Sequence, residues 1–106
     1  MDLDVYQMLA QRTSHETSAC GKLENGCLGL AGESGECCEL LKKHLFQGHE
    51  LDRQRLSEEV GDVLWYVAEL ASGLGMTLND VASANIEKLK RRYPHGFDVK
   101  RSINRK

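Results

Sequence analysis

Apolar residues recur every three or four positions along most of the chain, which is the spacing of amphipathic helices. This pattern predicts four helices, over residues 2–12, 25–46, 52–75 and 77–93. No segment shows the strict alternation of apolar and polar residues that is typical of a strand. Because four helices joined by short links form a bundle, we predict an all-α fold of the four-helix bundle type.

Local signals indicate several of the helix ends. Asp52 is a good N-cap for the third helix. Thr77 and Asp80 have the spacing of a capping box for the fourth helix, with Asp in place of the usual Glu or Gln. Gly48 favours the end of the second helix, and Pro94 favours the end of the fourth.

The third predicted helix is apolar around more of its circumference than a surface helix, whose apolar stripe is usually about 100° wide. Its apolar residues are Leu56, Val60, Val63, Leu64, Val67, Leu70, Ala71 and Leu74, with Trp65 beside them. Its main polar strip is formed by Glu59, Asp62, Tyr66 and Glu69. A chain of 106 residues has too few helices to cover this surface alone. We therefore expect an obligate homo-oligomer, either a homodimer or a homotetramer.

Composition limits the class and the location of the protein. A length of 106 residues corresponds to one domain. No apolar run approaches the ~20 residues that span a bilayer, and the acidic start, residues 1–4, is unlike a signal peptide. We expect a cytoplasmic protein without membrane contact.

The four cysteines lack zinc-ligand spacing, so we expect reduced side chains in or near the core: Cys20, Cys27, Cys37 and Cys38.

Charge is distributed unevenly along the chain. Residues 88–106 contain eight basic residues and one acidic residue, whereas residues 1–87 contain six basic and fifteen acidic residues. An acidic body with a basic end suits metal and phosphate chemistry, although a solvated basic tail is the commoner meaning of such a run. We assign residues 1–97 to one domain and residues 98–106 to a basic C-terminal tail.

Two pairs of acidic residues are candidate metal ligands, Glu33 with Glu36 and Glu59 with Asp62. Residues three apart share one face of a helix, so the four carboxylates converge if the second and third helices pack antiparallel. Oxygen ligands alone favour Mg²⁺ or Mn²⁺ over Zn²⁺. The alternative is a set of solvated acids on amphipathic helices, because each short motif is common by itself.

Glycines recur every third residue at the start of the second helix, at positions 26, 29, 32 and 35. Each costs about 1 kcal/mol relative to alanine inside a helix. We expect this cost to be offset by close helix packing or by space for a ligand. The alternative is a loop that precedes the helix, which would account for Gly26 and Gly29 but hardly for Gly32 and Gly35.

Asn85, Lys88 and Arg92 lie on one face of the fourth helix. An amide and two cations are suited to binding a triphosphate. The alternative is a solvated helix end, where basic residues are favoured by the helix dipole.

The chain resembles the MazG-like family of all-α nucleoside triphosphate pyrophosphohydrolases, which includes dimeric dUTPases and dCTP pyrophosphatases. The resemblance rests on the two acidic motifs, 22 residues apart, and on their context in residues 28–36, 56–66 and 85–94. It covers roughly residues 4–97 and implies an assembly of dimers or dimers of dimers.

The resemblance implies that Glu33, Glu36, Glu59 and Asp62 bind Mg²⁺. It also implies that Asn25 contacts the nucleotide and that Lys88 contacts phosphate. Trp65 and Tyr66 are both candidates to stack on a base. Tyr66, one turn from Asp62, is expected to line the site, whereas for Trp65 the core or a subunit interface is favoured.

The expected reaction hydrolyses an NTP or dNTP to a monophosphate and pyrophosphate and serves to clear the nucleotide pool. Mg²⁺ neutralises the phosphates and lowers the pKa of a bound water, and we assign Glu36 as the base that takes the proton. A di-iron bundle is disfavoured because neither Glu33 nor Glu59 is followed by a histidine three residues later. The main alternative is a non-enzymatic, homo-oligomeric helical interaction module. Nucleic acid is not an expected partner.

Overall fold

Two long antiparallel helices organise the fold. The structure is a computed structural model that describes residues 1–105; Lys106, the last residue of the predicted tail, lies outside this range. Its five helices are α1 (Leu3–Gln11), α2 (Ala19–Phe46), α3 (Arg53–Gly73), α4 (Leu78–Arg92) and α5 (Val99–Ile103). α2 and α3 pack along each other, while α1 and α4 pack against α3 and against one another. The predicted all-α fold is confirmed.

The second helix begins at Ala19, six residues earlier than the apolar pattern predicts. Ser18 is its N-cap and accepts a hydrogen bond at 2.9 Å from the backbone N–H of Gly21. Residues 19–29 contain three glycines and little apolar periodicity, so the start of the helix is not visible from its pattern. The helix includes Asn25, Gly26 and Gly29, as predicted, and the alternative of a loop around the two glycines is wrong.

The remaining predicted helix ends agree closely with the structure. Asp52 caps α3 by accepting from the N–H of Arg55, and Thr77 and Asp80 form a complete capping box at α4. Gly48 and Gly75 follow α2 and α3 with φ of 73° and 70°, a left-handed conformation that favours glycine.

Gln7 of α1 forms hydrogen bonds with α3, with α4 and with the link between them. The amide nitrogen of Gln7 donates to Ser72 Oγ and to the carbonyl of Met76, both at 3.0 Å. Its oxygen accepts at 2.7 Å from the N–H of Leu78, the first residue of α4. One side chain thus connects three helices, which the apolar pattern does not indicate.

Gly26 and Gly29 allow α2 and α3 to approach closely. A Cβ atom on Gly26 would lie 2.6 Å from Leu70 Cγ, and one on Gly29 would overlap the ring of Tyr66. Gly32 and Gly35 face open space. Close packing therefore accounts for the first two glycines, and these contacts fix the register in which α2 and α3 face each other.

The buried core of the single chain is small. Its buried apolar residues are Ala10, Ala68, Ala71 and Leu78. The last three form one cluster, with Tyr6, Val67 and Val81 packed against it. The chain exposes 7826 Å², whereas a compact monomer of this mass exposes about 5,900 Å². The radius of gyration is 16.7 Å, compared with about 13 Å for a compact domain of this length.

Large apolar side chains are exposed on several helices. They include Leu28, Leu41, Leu45 and Phe46 on α2, Val60 on α3, and Ile86 and Leu89 on α4. Leu74, directly after α3, is also exposed. No helix within residues 1–105 combines the length and the apolar character needed to cross a membrane.

The cysteines are free thiols, but the expected location in or near the core is wrong for three of them. Cys20, Cys27 and Cys38 are exposed, and Cys37 is partly buried. The closest contact of α2 with α3 is made through glycines such as Gly26 instead.

The predicted basic tail contains the short helix α5. The chain turns at Gly96, which has a φ of 92°, and the rings of Tyr93 and Phe97 contact each other with centroids 5.4 Å apart. Asp98 caps α5 by accepting from the N–H of Arg101. The division between domain and tail at residue 97 stays a prediction.

We predict opposite effects for alanine at two glycines of α2. Gly26→Ala lowers the free energy of unfolding by about 2 kcal/mol, because the new methyl group overlaps Leu70. Gly35→Ala raises it by up to about 1 kcal/mol, because helix propensity improves and the site is open. Chemical denaturation at one protein concentration measures the free energy of unfolding of both variants. Equal changes in the two variants would contradict the assigned contact between α2 and α3.

Candidate functional site

Three carboxylates converge between α2 and α3. Oxygen atoms of Glu33, Glu59 and Asp62 lie within 4.8 Å of one another. The antiparallel register produces this arrangement, because α2 pairs Gly26 with Leu70 and Gly29 with Tyr66, so that Glu33 faces Asp62 and Glu59 one turn further on. The two acidic motifs of the sequence therefore meet in space through these three residues.

The electrostatics of the cluster show that the carboxylates affect each other. A hydrogen bond to Glu59, partial burial and the charges of Asp62 and Glu36 raise the pKa of Glu33. The pKa of Glu59 is lowered by the hydrogen bond to Glu33 and by Arg55, whose Nε lies 3.1 Å from Glu59 Oε1. Three negative charges at this distance repel one another, so the cluster is suited to binding a cation.

The donor set fits the predicted Mg²⁺ or Mn²⁺. The three residues offer carboxylate oxygens only, which are the ligands that these hard cations prefer. Glu36, the fourth predicted ligand, is exposed and is not one of the three grouped residues. It lies one turn beyond Glu33 on α2, and its charge contributes to the raised pKa of Glu33. Its role as a ligand stays a prediction.

A cavity of about 390 Å³ adjoins the acidic cluster. It brings together four of the predicted site residues, Asn25, Glu33, Asp62 and Tyr66. Its other lining residues, Thr13, His15 and Trp65, were not assigned to the site from the sequence. The cavity therefore combines acidic, amide and aromatic groups within one chain.

Trp65 lies on the cavity wall and is partly buried, so it does not belong to the core, and its expected place at a subunit interface stays a prediction. Its indole Nε1 donates to Thr13 Oγ1 at 2.8 Å, and its ring meets Tyr66 edge to face with centroids 5.0 Å apart. The sequence carried a usable signal, since Trp65 follows Asp62 by three residues, as Asp62 follows Glu59. The contact with Thr13 could not be seen in it.

Glu69 is the centre of a buried polar network beneath the cavity. Its side chain is fully buried. Oε1 accepts from Gln11 at 3.1 Å and from Ser14 at 2.7 Å, and Oε2 accepts from Asn25 at 2.8 Å. Lys22 Nζ lies 3.4 Å from Oε1. This carboxylate thus joins α1, the following loop, α2 and α3.

The network keeps Glu69 ionised. Burial by itself raises the pKa of the carboxyl group, but hydrogen bonds from Ser14, Asn25 and Gln11 and the charge of Lys22 outweigh it, so the pKa is lowered. The sequence placed Glu69 on the polar strip of the third helix. The structure shows that this strip faces α1 and α2, and that exposed apolar residues such as Val60 lie elsewhere on the helix.

The predicted phosphate contacts of α4 lie away from the acidic cavity. Lys88 and Arg92 line a separate cavity of about 440 Å³ together with Arg91, Arg101, Asn104 and Arg105. Asn85 is exposed and lines neither cavity. Within residues 1–105, none of the five basic residues of this cavity forms an ion pair. A role of Asn85, Lys88 and Arg92 in substrate binding stays a prediction.

Comparison with known proteins identifies the family. The chain matches the MazG nucleotide pyrophosphohydrolase domain over residues 22–97. It is 36% identical over 105 residues to the Gene 37 protein of Mycobacterium phage L5, a match that covers 91% of this chain and 92% of that protein. It is 46% identical over 43 residues to the Uncharacterized protein YvdC of Bacillus subtilis (strain 168), a match that covers 41% of each chain. No solved structure matches the chain significantly.

The α2–α3 hairpin of this all-α protein places three carboxylates beside a cavity with aromatic walls. This arrangement is suited to binding a cation together with a ligand that contains a ring. The chain belongs to the MazG nucleotide pyrophosphohydrolase family. The resemblance noted in the sequence is therefore confirmed, and family membership supports an enzyme of the nucleotide pyrophosphohydrolase type.

We predict that Glu69→Gln destabilises the protein in a pH-dependent way. Because the pKa of Glu69 is lowered in the fold, its carboxylate stabilises the folded state above the ordinary glutamate pKa of about 4.3. This stabilisation is lost as the pH falls through the lower pKa of the folded state. The difference in free energy of unfolding between wild type and Glu69→Gln is therefore largest near pH 7 and shrinks below about pH 4.

Chemical denaturation between pH 7 and pH 3 measures this difference. Glu87→Gln is the matched control, since Glu87 is an exposed glutamate that pairs with Lys90 on the surface of α4. A difference between wild type and Glu69→Gln that stays constant over this pH range would contradict the ionised network.

Proposed function

We propose that the protein is a Mg²⁺-dependent pyrophosphohydrolase that converts an NTP or dNTP into a nucleoside monophosphate and pyrophosphate. The observation that supports this most strongly is the convergence of Glu33, Glu59 and Asp62 beside a cavity with aromatic walls. The family of the chain agrees with this chemistry. Mn²⁺ is an alternative cofactor, because it accepts the same oxygen ligands.

In the proposed mechanism, Glu33, Glu59 and Asp62 hold the cation, with Glu36 completing the set. Held by these residues, Mg²⁺ would neutralise the phosphate charge and lower the pKa of water. Water adds to phosphorus, the phosphoanhydride bond breaks, and pyrophosphate leaves. Glu36 takes the proton from the attacking water. Its exposure and its place outside the tight group of three suit a residue that exchanges a proton with solvent.

The substrate is proposed to lie along the cavity. Its phosphates approach the carboxylates, and Asn25, Tyr66 and Trp65 surround the nucleoside. Asn85, Lys88 and Arg92 are proposed to bind phosphate oxygens. Since Lys88 and Arg92 lie in a separate cavity of this chain, we propose that they reach the phosphates at a neighbouring subunit.

Assembly as a homodimer or homotetramer is part of the proposal. The large exposed area and the apolar side chains on α2, α3 and α4 favour burial against further copies. We further propose that the enzyme acts in the cytoplasm to clear unwanted nucleotides from the pool.

The reaction is tested with a panel of NTPs and dNTPs in the presence of Mg²⁺ and without added pyrophosphatase. We expect monophosphate and pyrophosphate, separated by chromatography, and no turnover in EDTA. Glu36→Ala and Asp62→Ala are expected to lower turnover at least about 100-fold. Both variants are expected to weaken Mg²⁺ binding, and they raise metal-free thermal stability because repulsion between the carboxylates is relieved.

Glu58→Ala is the matched control for these variants. Glu58 precedes Glu59 on α3 but contacts Gln54 rather than the cluster, so its replacement leaves turnover unchanged. Orthophosphate as the primary product would overturn the proposed reaction. Full activity in either Glu36→Ala or Asp62→Ala would overturn the four-carboxylate assignment, and indifference to Mg²⁺ would favour the interaction module.

We predict an obligate assembly of at least two subunits. Sedimentation equilibrium at micromolar concentration should give at least twice the monomer mass of 11.9 kDa. Val60→Asp should weaken assembly at least about tenfold, because it places a charge on an exposed apolar part of α3. Gln54→Asp, an exposed polar position on the same helix, is the control. A folded and active monomer would show that no partner is needed.

A further inference from the structure

Arg55 is the basic residue that contacts the acidic cluster. Its Nε donates at 3.1 Å to Oε1 of Glu59, which is one of the three grouped carboxylates. Among the ion pairs formed within residues 1–105, this is the one that involves the group. The side chain of Glu59 is 11% exposed and that of Arg55 is 54% exposed. The pair thus joins a nearly buried carboxylate to a guanidinium that remains open to solvent.

The place of Arg55 in α3 is unfavourable for the helix itself. Arg55 is the third residue of this helix, which begins at Arg53. The N-terminal end of a helix carries a partial positive charge, so a cation in the first turn is repelled. An ion pair between residues four apart is also weaker when the basic residue comes first. Helix stability therefore does not account for a basic residue at this position, whereas the contact with Glu59 does.

The cluster needs a positive charge whenever no metal ion is bound. Three carboxylates whose oxygens lie within 4.8 Å of one another repel each other. The hydrogen bond to Glu59 and the charges of Glu59, Glu58 and Glu36 raise the pKa of Arg55, against the effect of partial desolvation. The guanidinium is therefore held by the field of the acidic residues around it, and its charge offsets part of their repulsion.

We propose that Arg55 is a built-in counter-cation of the acidic cluster, which screens the carboxylates in the metal-free protein and opposes the binding of a metal ion at Glu59. A monovalent ion carries no more charge than the guanidinium that already occupies this place. A divalent ion carries twice that charge and is attracted by all three carboxylates. Arg55 therefore makes the cluster favour divalent over monovalent cations.

Two variants of Arg55 separate its charge from its hydrogen bond. The amide nitrogen of glutamine lies as many bonds from Cα as Nε of arginine, so Arg55→Gln keeps a donor for Glu59 but removes the charge. Arg55→Lys keeps the charge but loses the Nε donor. Arg53→Gln is the matched control, because Arg53 lies in the same turn of α3 and forms no ion pair within residues 1–105.

The first test is calorimetric titration of the nucleotide-free protein with MgCl₂. We expect Arg55→Gln to bind Mg²⁺ about three- to tenfold more tightly than wild type, because a repelling charge beside the site is gone. This gain should shrink at high KCl concentration, where charges are screened. Arg55→Lys and Arg53→Gln should stay within about twofold of wild type. Unchanged or weaker binding in Arg55→Gln would overturn the inference, as would a gain in Arg55→Lys equal to that in Arg55→Gln.

The second test is thermal unfolding followed by circular dichroism, with and without Mg²⁺. In EDTA, Arg55→Gln should lower Tm by at least about 2 °C, because the carboxylates lose their counter-charge. Saturating Mg²⁺ should remove most of this difference, since it supplies positive charge to the same carboxylates. Arg53→Gln should not lower Tm, because a cation in this turn is repelled by the helix dipole. A loss of Tm in Arg55→Gln that is equal with and without Mg²⁺ would indicate an ordinary surface ion pair and would overturn the inference.

The inference rests on the proposed function only in taking the three carboxylates as a cation site. Both tests are made without nucleotide, so the expected shifts in Arg55→Gln support the inference even if no NTP is hydrolysed, a result that would contradict only the proposed reaction. Where turnover is observed, Arg55→Gln should reach its half-maximal rate at a Mg²⁺ concentration about three- to tenfold lower than wild type. Turnover with an unchanged Mg²⁺ requirement in this variant would overturn the inference and leave the proposed reaction standing.

Discussion

The buried carboxylate of Glu69 is the interaction on which the site depends most. Burying an ionised group is costly unless donors surround it. Here Gln11, Ser14 and Asn25 supply hydrogen bonds, and Lys22 supplies the opposite charge. The hydrogen bonds and the ion pair made by this one carboxylate thus hold α1, the loop after it and the N-terminal part of α2 against α3. The same contacts determine which way the Asn25 side chain points into the cavity.

The arrangement of α3 is the reverse of that in an ordinary surface helix, since charged side chains face the interior and an apolar side chain faces solvent. α3 turns Glu59 and Glu69 towards its neighbours in the chain, while Val60 is exposed. A single chain consequently buries little apolar surface, and its extended shape exposes more area than a compact domain does. The proposed assembly follows from this reversal, because apolar side chains of α2, α3 and α4 are exposed in the structure of residues 1–105.

Close helix packing sets the geometry of the acidic cluster. Gly26 and Gly29 remove the side chains that would hold α2 away from Leu70 and Tyr66. With the register fixed there, Glu33 is brought to Asp62 and Glu59. The helix propensity lost at these glycines, about 1 kcal/mol each, is therefore offset by contacts that also form the candidate metal centre.

The sequence by itself determined the all-α fold and the caps at Asp52 and Thr77, because these depend on local spacing and local hydrogen bonds. It also indicated the two acidic motifs, but their meeting depends on the register in which α2 and α3 pack. It could not locate the start of α2, since three glycines interrupt the apolar period there. Tertiary structure alone decided that Glu69 is buried and that Trp65 donates to Thr13 beside the cavity. It also separated Lys88 and Arg92 from the acids within one chain. These features depend on contacts between helices distant in sequence, and helical spacing cannot tell which polar face turns inward.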